Sequence, residues 1–147
     1  MTITIGSTPV LAADAFVRGE RRRCIAIDEF RGSWVVVALG ARTADIRDLA
    51  DVNEAFTADG AVVVATTPDD YYEVAGRLET SEVRFPVFTD VDESRRITMI
   101  LDPSGVVRHV GLRRSAREAL DALELIRAAQ RALCPSCGRE HDLARAA

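Results

Sequence analysis

Lysine is absent from this 147-residue chain: all 19 basic residues are arginine. We read that as the coding bias of a GC-rich genome rather than a functional mark. The arginines are scattered or clustered in threes at most, and the formal net charge is −4. A basic face of the kind that binds nucleic acid is therefore not expected. No apolar run approaches the ~20 residues of a membrane span. The N-terminus, Met1 to Gly6, has no basic region followed by an apolar one, so no secretory signal is expected. Only three cysteines occur, too few for a disulfide framework and compatible with a reducing, cytoplasmic location.

What is present describes a single soluble α/β domain, with 48% hydrophobic and 29% charged residues. The chain is organised around Asp28 to Asp45. Val35 to Leu39 are consecutive apolar residues, three of them β-branched, and read as a strand buried on both faces. Gly40 ends the run, and Thr43 offers a hydroxyl N-cap for a helix from about Ala44. A buried strand feeding a helix N-terminus is where α/β proteins commonly place their chemistry.

Around that centre, Thr2 to Ile5 alternates like an edge strand. Asp14 to Glu20 reads as irregular or hairpin structure turning at Gly19, and Arg21 to Ile27 as a short strand carrying Cys24. Ile46, Leu49, Val52 and Phe56 recur at helical spacing, which predicts one helix over Thr43 to Ala58. Ala61 to Ala65 is a second buried strand. Pro68, after a Thr N-cap, is expected to open a helix through about Leu78. Phe85 to Phe88 is extended. Ile97 to Leu101 and Val106 to Val110 form a hairpin around Asp102 to Gly105. Ser115 and Glu118 form a capping box for a long closing helix bearing Leu120, Leu123, Ile126 and Leu133. The order predicts a thioredoxin-like α/β sandwich, a central mixed sheet with helices on both faces.

Phe30, Gly32, Trp34 and Val35 to Val37 match the "F-x-G-K/S-W-V-V-L" run that leads to the catalytic cysteine of peroxiredoxins. Val64-Ala-Thr-Thr-Pro-Asp69 looks like that family's "G-V-S-x-D". Phe85-Pro-Val-Phe-Thr-Asp90 looks like its "F-P-L-L-S-D", and Met99-Ile-Leu-Asp-Pro-Ser-Gly-Val-Val107 like its "F-I-I-D-P-x-G-x-I". Residues 1–133 thus resemble a peroxiredoxin (alkyl hydroperoxide reductase/thiol-specific antioxidant) domain, followed by a tail over 134–147. The resemblance implies a nucleophilic Cys flanked by an Arg, for which Arg96 is placed, and by a hydroxyl, for which Thr43 is the candidate; a surface ion pair is the equal alternative for Arg96.

That cysteine is missing. Aligning from Gly32 puts its position near Asp48 and aligning from Phe56 puts it near Arg42, yet no Cys occurs between Cys24 and Cys134. Neither carboxylate nor guanidinium can replace a thiolate in peroxide reduction. The stretch between Asp90 and Arg96 is also short for the family. The expectation is a protein without conventional peroxidase chemistry.

The remaining chemistry-bearing motif is Cys134-Pro-Ser-Cys137-Gly-Arg-Glu-His141. As a metal knuckle, Cys134 and Cys137 would converge on one zinc, with His141 as a third ligand and Cys24 or a second subunit supplying the fourth. As a redox dithiol, Cys134 and Cys137 would be catalytic, with Cys24 as relay. Against the second reading, the motif follows a helix and so sits at its negative end, where thiolates are disfavoured. Three function classes follow: a binding or accessory protein, homo-oligomeric (dimeric) or with a protein partner and a zinc or thiol knuckle; a thiol–disulfide oxidoreductase; or a pocket above Gly40 where Arg42, Thr43 and Arg96 hold an anionic substrate. Elsewhere the plainer readings are preferred. Cys24 is a small buried hydrophobe, His109 a solvent-facing strand residue, and Trp34, Phe30, Tyr71 and Tyr72 are packing. Arg18 with Arg21 to Arg23, and Asp45 with Asp48 and Asp51, form solvated faces.

Overall fold

The computed structural model describes residues 3–132. Seven strands, β1 (Ala12–Phe16), β2 (Arg23–Ala26), β3 (Trp34–Leu39), β4 (Ala61–Thr66), β5 (Val87–Phe88), β6 (Ile97–Leu101) and β7 (Val107–Leu112), form one sheet in the order β2-β1-β5-β4-β3-β6-β7. Strands β3, β4 and β5 run parallel, with Val36 opposite Val63 and Ala65 opposite Val87. The others are antiparallel, β6 lying against β3 with Ile100 opposite Val36. The helices are α1 (Thr43–Asp51), α2 (Asn53–Ala58), α3 (Tyr71–Leu78) and α4 (Ala116–Ala132), and a 3-10 turn covers Ile27–Phe30. This mixed sheet with its helices is a thioredoxin-like α/β fold.

Every residue of β3 is buried, because both faces of the sheet are covered. Alternation splits the core in two. Val36 and Ala38 face a cluster that takes in Ile46 and Leu49 of α1, Phe56 of α2, Val74 and Leu78 of α3, and Leu120 and Leu123 of α4. Val35, Val37 and Leu39 face a second cluster, which includes Leu11, Ile27, Phe88, Val91 and Met99. All four α-helices thus bury their apolar residues on one face of the sheet, which corrects the expectation of helices on both faces. The other is covered by the 3-10 turn, the N-terminal segment and the loop after β5.

Several local expectations change. Residues 3–5 are not a strand; Ser7 folds back on Thr4 instead, and the backbone of Gly6 and Ser7 pairs with Val107. The first helix breaks at Val52 into α1 and α2. α3 starts at Tyr71, not Pro68, because the Asp70 carboxylate accepts from the Glu73 amide at 2.9 Å and so provides the cap. The hairpin of β1 and β2 turns at Gly19 (φ +79°), and Ser115 Oγ accepts from the Glu118 amide at the start of α4.

Candidate functional site

The C-terminal ends of β3 and β4 carry the turns at Gly40 and Thr66–Asp70, the place where an open α/β sheet offers a crevice. Gly40 is held at φ +60°, and a Cβ there would lie 2.3 Å from the Arg95 carbonyl oxygen and 2.8 Å from the Ser94 carbonyl carbon. The space above Gly40 is therefore filled by the backbone of Ser94 and Arg95. That is a correction to the expected pocket: the short connection after β5 crosses the strand end directly. The nearby crevice lined by Thr43, Thr67, Asp69 and Arg77 has a free volume of about 10 Å³, room for one water.

Arg96, delivered by that same crossing, points its guanidinium at the carboxylate of Asp45 in the first turn of α1. The other carboxylate oxygen, Oδ2, accepts from the Arg42 amide at 2.9 Å. Arg113, just past β7, approaches Oδ2 from a third direction, with its Nη2 at 3.6 Å, while its Nη1 donates to the Ile97 carbonyl at 2.7 Å. The Arg113 side chain is 2% exposed and that of Asp45 9%. Burial would push the Asp45 carboxyl up, but the Arg42 amide and the two guanidiniums outweigh it and hold the group below the usual carboxylate range. Burial pulls the Arg113 guanidinium below its ordinary value, with Asp45 opposing. Arg96 Nε and Arg113 Nε and Nη2 have no hydrogen-bond partner among the described residues.

The arrangement is an anion site whose anion is part of the chain. A helix N-terminus and two guanidiniums converge on one buried carboxylate. Of the residues expected around an external anion, Arg42 contributes its backbone amide, Thr43 lines the crevice and Arg96 binds Asp45. Asp45 itself was expected on a solvated face, and it is buried. Asp48 is exposed but engaged, its Oδ2 accepting from the Ala116 amide at 2.8 Å and so tying α1 to the start of α4. Arg113 carried no signal in the sequence. Asp45 carried one, an acid at the third position of a helix, where it can reach back to the amide at the cap.

Cys24 is exposed on β2, not buried, because it lies opposite Asp14 on an edge strand. Cys134, Cys137 and His141 lie outside the described residues. His109 is half-buried rather than solvent-facing, in a groove of about 270 Å³ between β7 and α4. Trp34 is buried beneath Arg127, whose guanidinium lies 6.0 Å from the ring centroid. Tyr71 packs at the core margin, whereas Tyr72 is exposed beside Arg22. Arg22 and Arg23 are engaged by Asp14, Glu20 and Glu29, so the arginine cluster is a compensated surface. Among the described residues, no group of three or more His, Cys, Asp or Glu could hold a metal, and no helix is long and apolar enough to cross a membrane.

The order and direction of the strands and the placing of the helices are those of a peroxiredoxin-like thioredoxin fold. Among solved structures the chain is similar to AhpC of Mycobacterium tuberculosis (TM-score 0.72, 20% identity, covering 93% of this chain and 99% of that one). It is similar also to a reduced 2-Cys peroxiredoxin of Plasmodium vivax (TM-score 0.74, 16% identity, 85% and 97% covered). A third is AhpC of Enterococcus faecalis (TM-score 0.72, 16% identity, 82% and 90% covered). No protein-family profile matches the chain, and no curated protein matches it in sequence.

Proposed function

We propose that this chain is a cytoplasmic peroxiredoxin-related protein that has exchanged peroxide chemistry for binding. The observation that carries the reading is the buried Asp45, held by Arg96, Arg113 and the α1 N-terminus in a stretch that carries no cysteine. A carboxylate cannot attack the O–O bond of a peroxide, and its charge already satisfies the groups that would stabilise one there. The test is peroxide consumption by the purified full chain with a thiol reductant. No turnover is expected, and peroxide consumption above that of the reductant alone, lost when the three cysteines are replaced by serine, would overturn the reading.

The binding role has two parts. In the tail, Cys134, Cys137 and His141 form a zinc knuckle, with Cys24 or a second subunit completing the ligands. Metal analysis beside a thiol count should find about one zinc per site or per dimer; metal-free protein with freely titratable Cys134 and Cys137 would exclude it. The exposure of Cys24 favours one competing reading, thiol–disulfide exchange by Cys134 and Cys137 with Cys24 as relay. That reading requires thiol-linked turnover that Cys134→Ser abolishes.

The second part is a homodimer through β7. The two sheet edges differ. At β2 the edge is guarded by Arg21, Arg22, Arg23 and their acidic partners, whereas from His109 to Leu112 the β7 edge carries no arginine or carboxylate. Leu112 is 78% exposed on the face of β7 that Ile97 shares. A second copy, antiparallel about a two-fold axis, would join the two edges.

A further inference from the structure

We propose that the groove between β7 and α4 is a small-molecule site that takes a compact apolar amine in its protonated form. The site stands apart from the Asp45 carboxylate, the cysteine tail and the β7 edge. One face of the sheet and one stripe of α4 build it. His109 and Gly111 of β7 lie opposite Ile100 and Thr98 of β6, so Thr98 and His109 rise on the face of the sheet that Ile100 shares with α4. Across from them, Glu118, Asp121, Ala122 and Leu125 recur at three- and four-residue spacing along α4. Gly111 and Ala122 are small where helix and strand meet, and a space of about 270 Å³ stays open between them. The His109 ring leans over the glycine: a Cβ there would lie 3.1 Å from Nε2.

The polar groups of the groove are unspent. Thr98 is 4% exposed, and its hydroxyl makes no hydrogen bond among the described residues. A buried hydroxyl that opens on a groove and bonds to nothing is a vacant ligand contact. The half-buried His109 imidazole has no hydrogen-bond partner among the described residues either. Burial lowers its pKa, so at pH 7.5 the ring is neutral and keeps an acceptor nitrogen. Glu118 and Asp121 are exposed and form the rim. Asp121 is met by Arg117 at 3.3 Å through Oδ1, whereas the Glu118 carboxylate has no ion-pair partner among the described residues. No arginine lines the groove. Acceptors and negative charge thus stand at one side and the carbon of Ala119, Ala122 and Leu125 at the other. The complement is an ammonium on an apolar body. An anion would meet two carboxylates with no cation in the lining to offset them. At about 30 Å³ per water-sized group, the space takes about nine non-hydrogen atoms.

The experiment is an NMR titration of the ¹⁵N-labelled full chain at pH 7.5 with phenethylammonium, beside the similarly sized 2-phenylethanol and phenylacetate. It is repeated on Glu118→Gln, which keeps the shape of an exposed side chain, and on Ala122→Leu, which fills the groove. Expected are saturable shifts of the Gly111 and Ala122 amides with a Kd of about 1 mM for the amine. The alcohol should bind about threefold more weakly and the carboxylate not at all. Glu118→Gln should cost the amine about threefold and leave the alcohol unchanged, and Ala122→Leu should abolish both. The site is overturned by the absence of saturable shifts up to about 20 mM amine, by alcohol or carboxylate binding as tight as the amine, or by amine binding indifferent to both variants. Should Ala122→Leu fail to fold, the ranking of the three probes and the Glu118→Gln result decide alone.

Discussion

Asp45→Asn keeps the size and one hydrogen-bond acceptor of the side chain but removes its charge, and its cost can be worked from the surroundings. Arg96 is 37% exposed at its side chain, so water would rescreen its charge and its share of the loss is small. Arg113 is 2% exposed and would be left as a buried cation with one firm hydrogen bond, to the Ile97 carbonyl. Removing one partner of a buried ion pair costs roughly 3–5 kcal/mol. Discounting for the 3.6 Å separation from Arg113, about 3 kcal/mol is expected. For a domain of this size that is a fall of about 6–12 °C in Tm. Urea unfolding should show a lower midpoint with an unchanged slope. Arg113→Met in the Asp45→Asn background should recover most of the loss, because the orphaned cation is then gone. The pH dependence runs the same way: the Asp45 carboxyl titrates lower in the folded chain than in the unfolded one. Its contribution is complete above about pH 4 and is lost as pH falls through the depressed folded value. A loss under about 1 kcal/mol, or no rescue by Arg113→Met, would refute the buried ion-pair account.

Two further outcomes follow from the same geometry. Asp45→Cys should place a thiol among the Arg42 amide, Arg96 and Arg113, with its pKa at least about one unit below that of an ordinary cysteine; the pH profile of alkylation by iodoacetamide measures it, and an ordinary profile would mean that the site does not stabilise an anion other than its own carboxylate. Gly40→Ala should cost at least about 2 kcal/mol, from the left-handed backbone and the collision with the Arg95 carbonyl, and a near-wild-type Tm would show that the crossing of residues 94–95 can move aside cheaply.

The strands were legible because their signals are local. Val35 to Leu39 and Ile97 to Leu101 are continuous apolar runs, and the closing helix has a Ser115 cap that forms as spaced. The helix starts were less so. Thr43 and Thr66-Thr-Pro68 look like caps, yet Asp45 and Asp70 do the capping, since a carboxylate is an equally good acceptor and lies at the right remove. The break at Val52 carries no glycine or proline to announce it. The site was least legible. Asp45, Asp48 and Asp51 share a spacing, and only the approach of Arg96, Arg113 and the Ala116 amide from distant parts of the chain separates their roles. Periodicity reports which face of a helix is apolar; it does not report that an acid at its first turn is met by two arginines.

The short link from Asp90 to Arg96 ties these observations together. Had it been longer, it could have carried a helix across the β3–β6 face that Val35, Val37 and Met99 share. Being short, it leaves that face to the 3-10 turn, Leu11 and Val91, and to the N-terminal segment clamped on Val107. The same shortness draws Ser94 and Arg95 over Gly40, filling the crevice, and sets Arg96 at the first turn of α1. An arginine brought there without an anion would leave a cation against a helix N-terminus, which is itself positive. With Arg113 buried alongside, some anion is required on stability grounds alone. Asp45 is that anion, so one contraction of the chain accounts for the closed crevice, the thin second face and the carboxylate together.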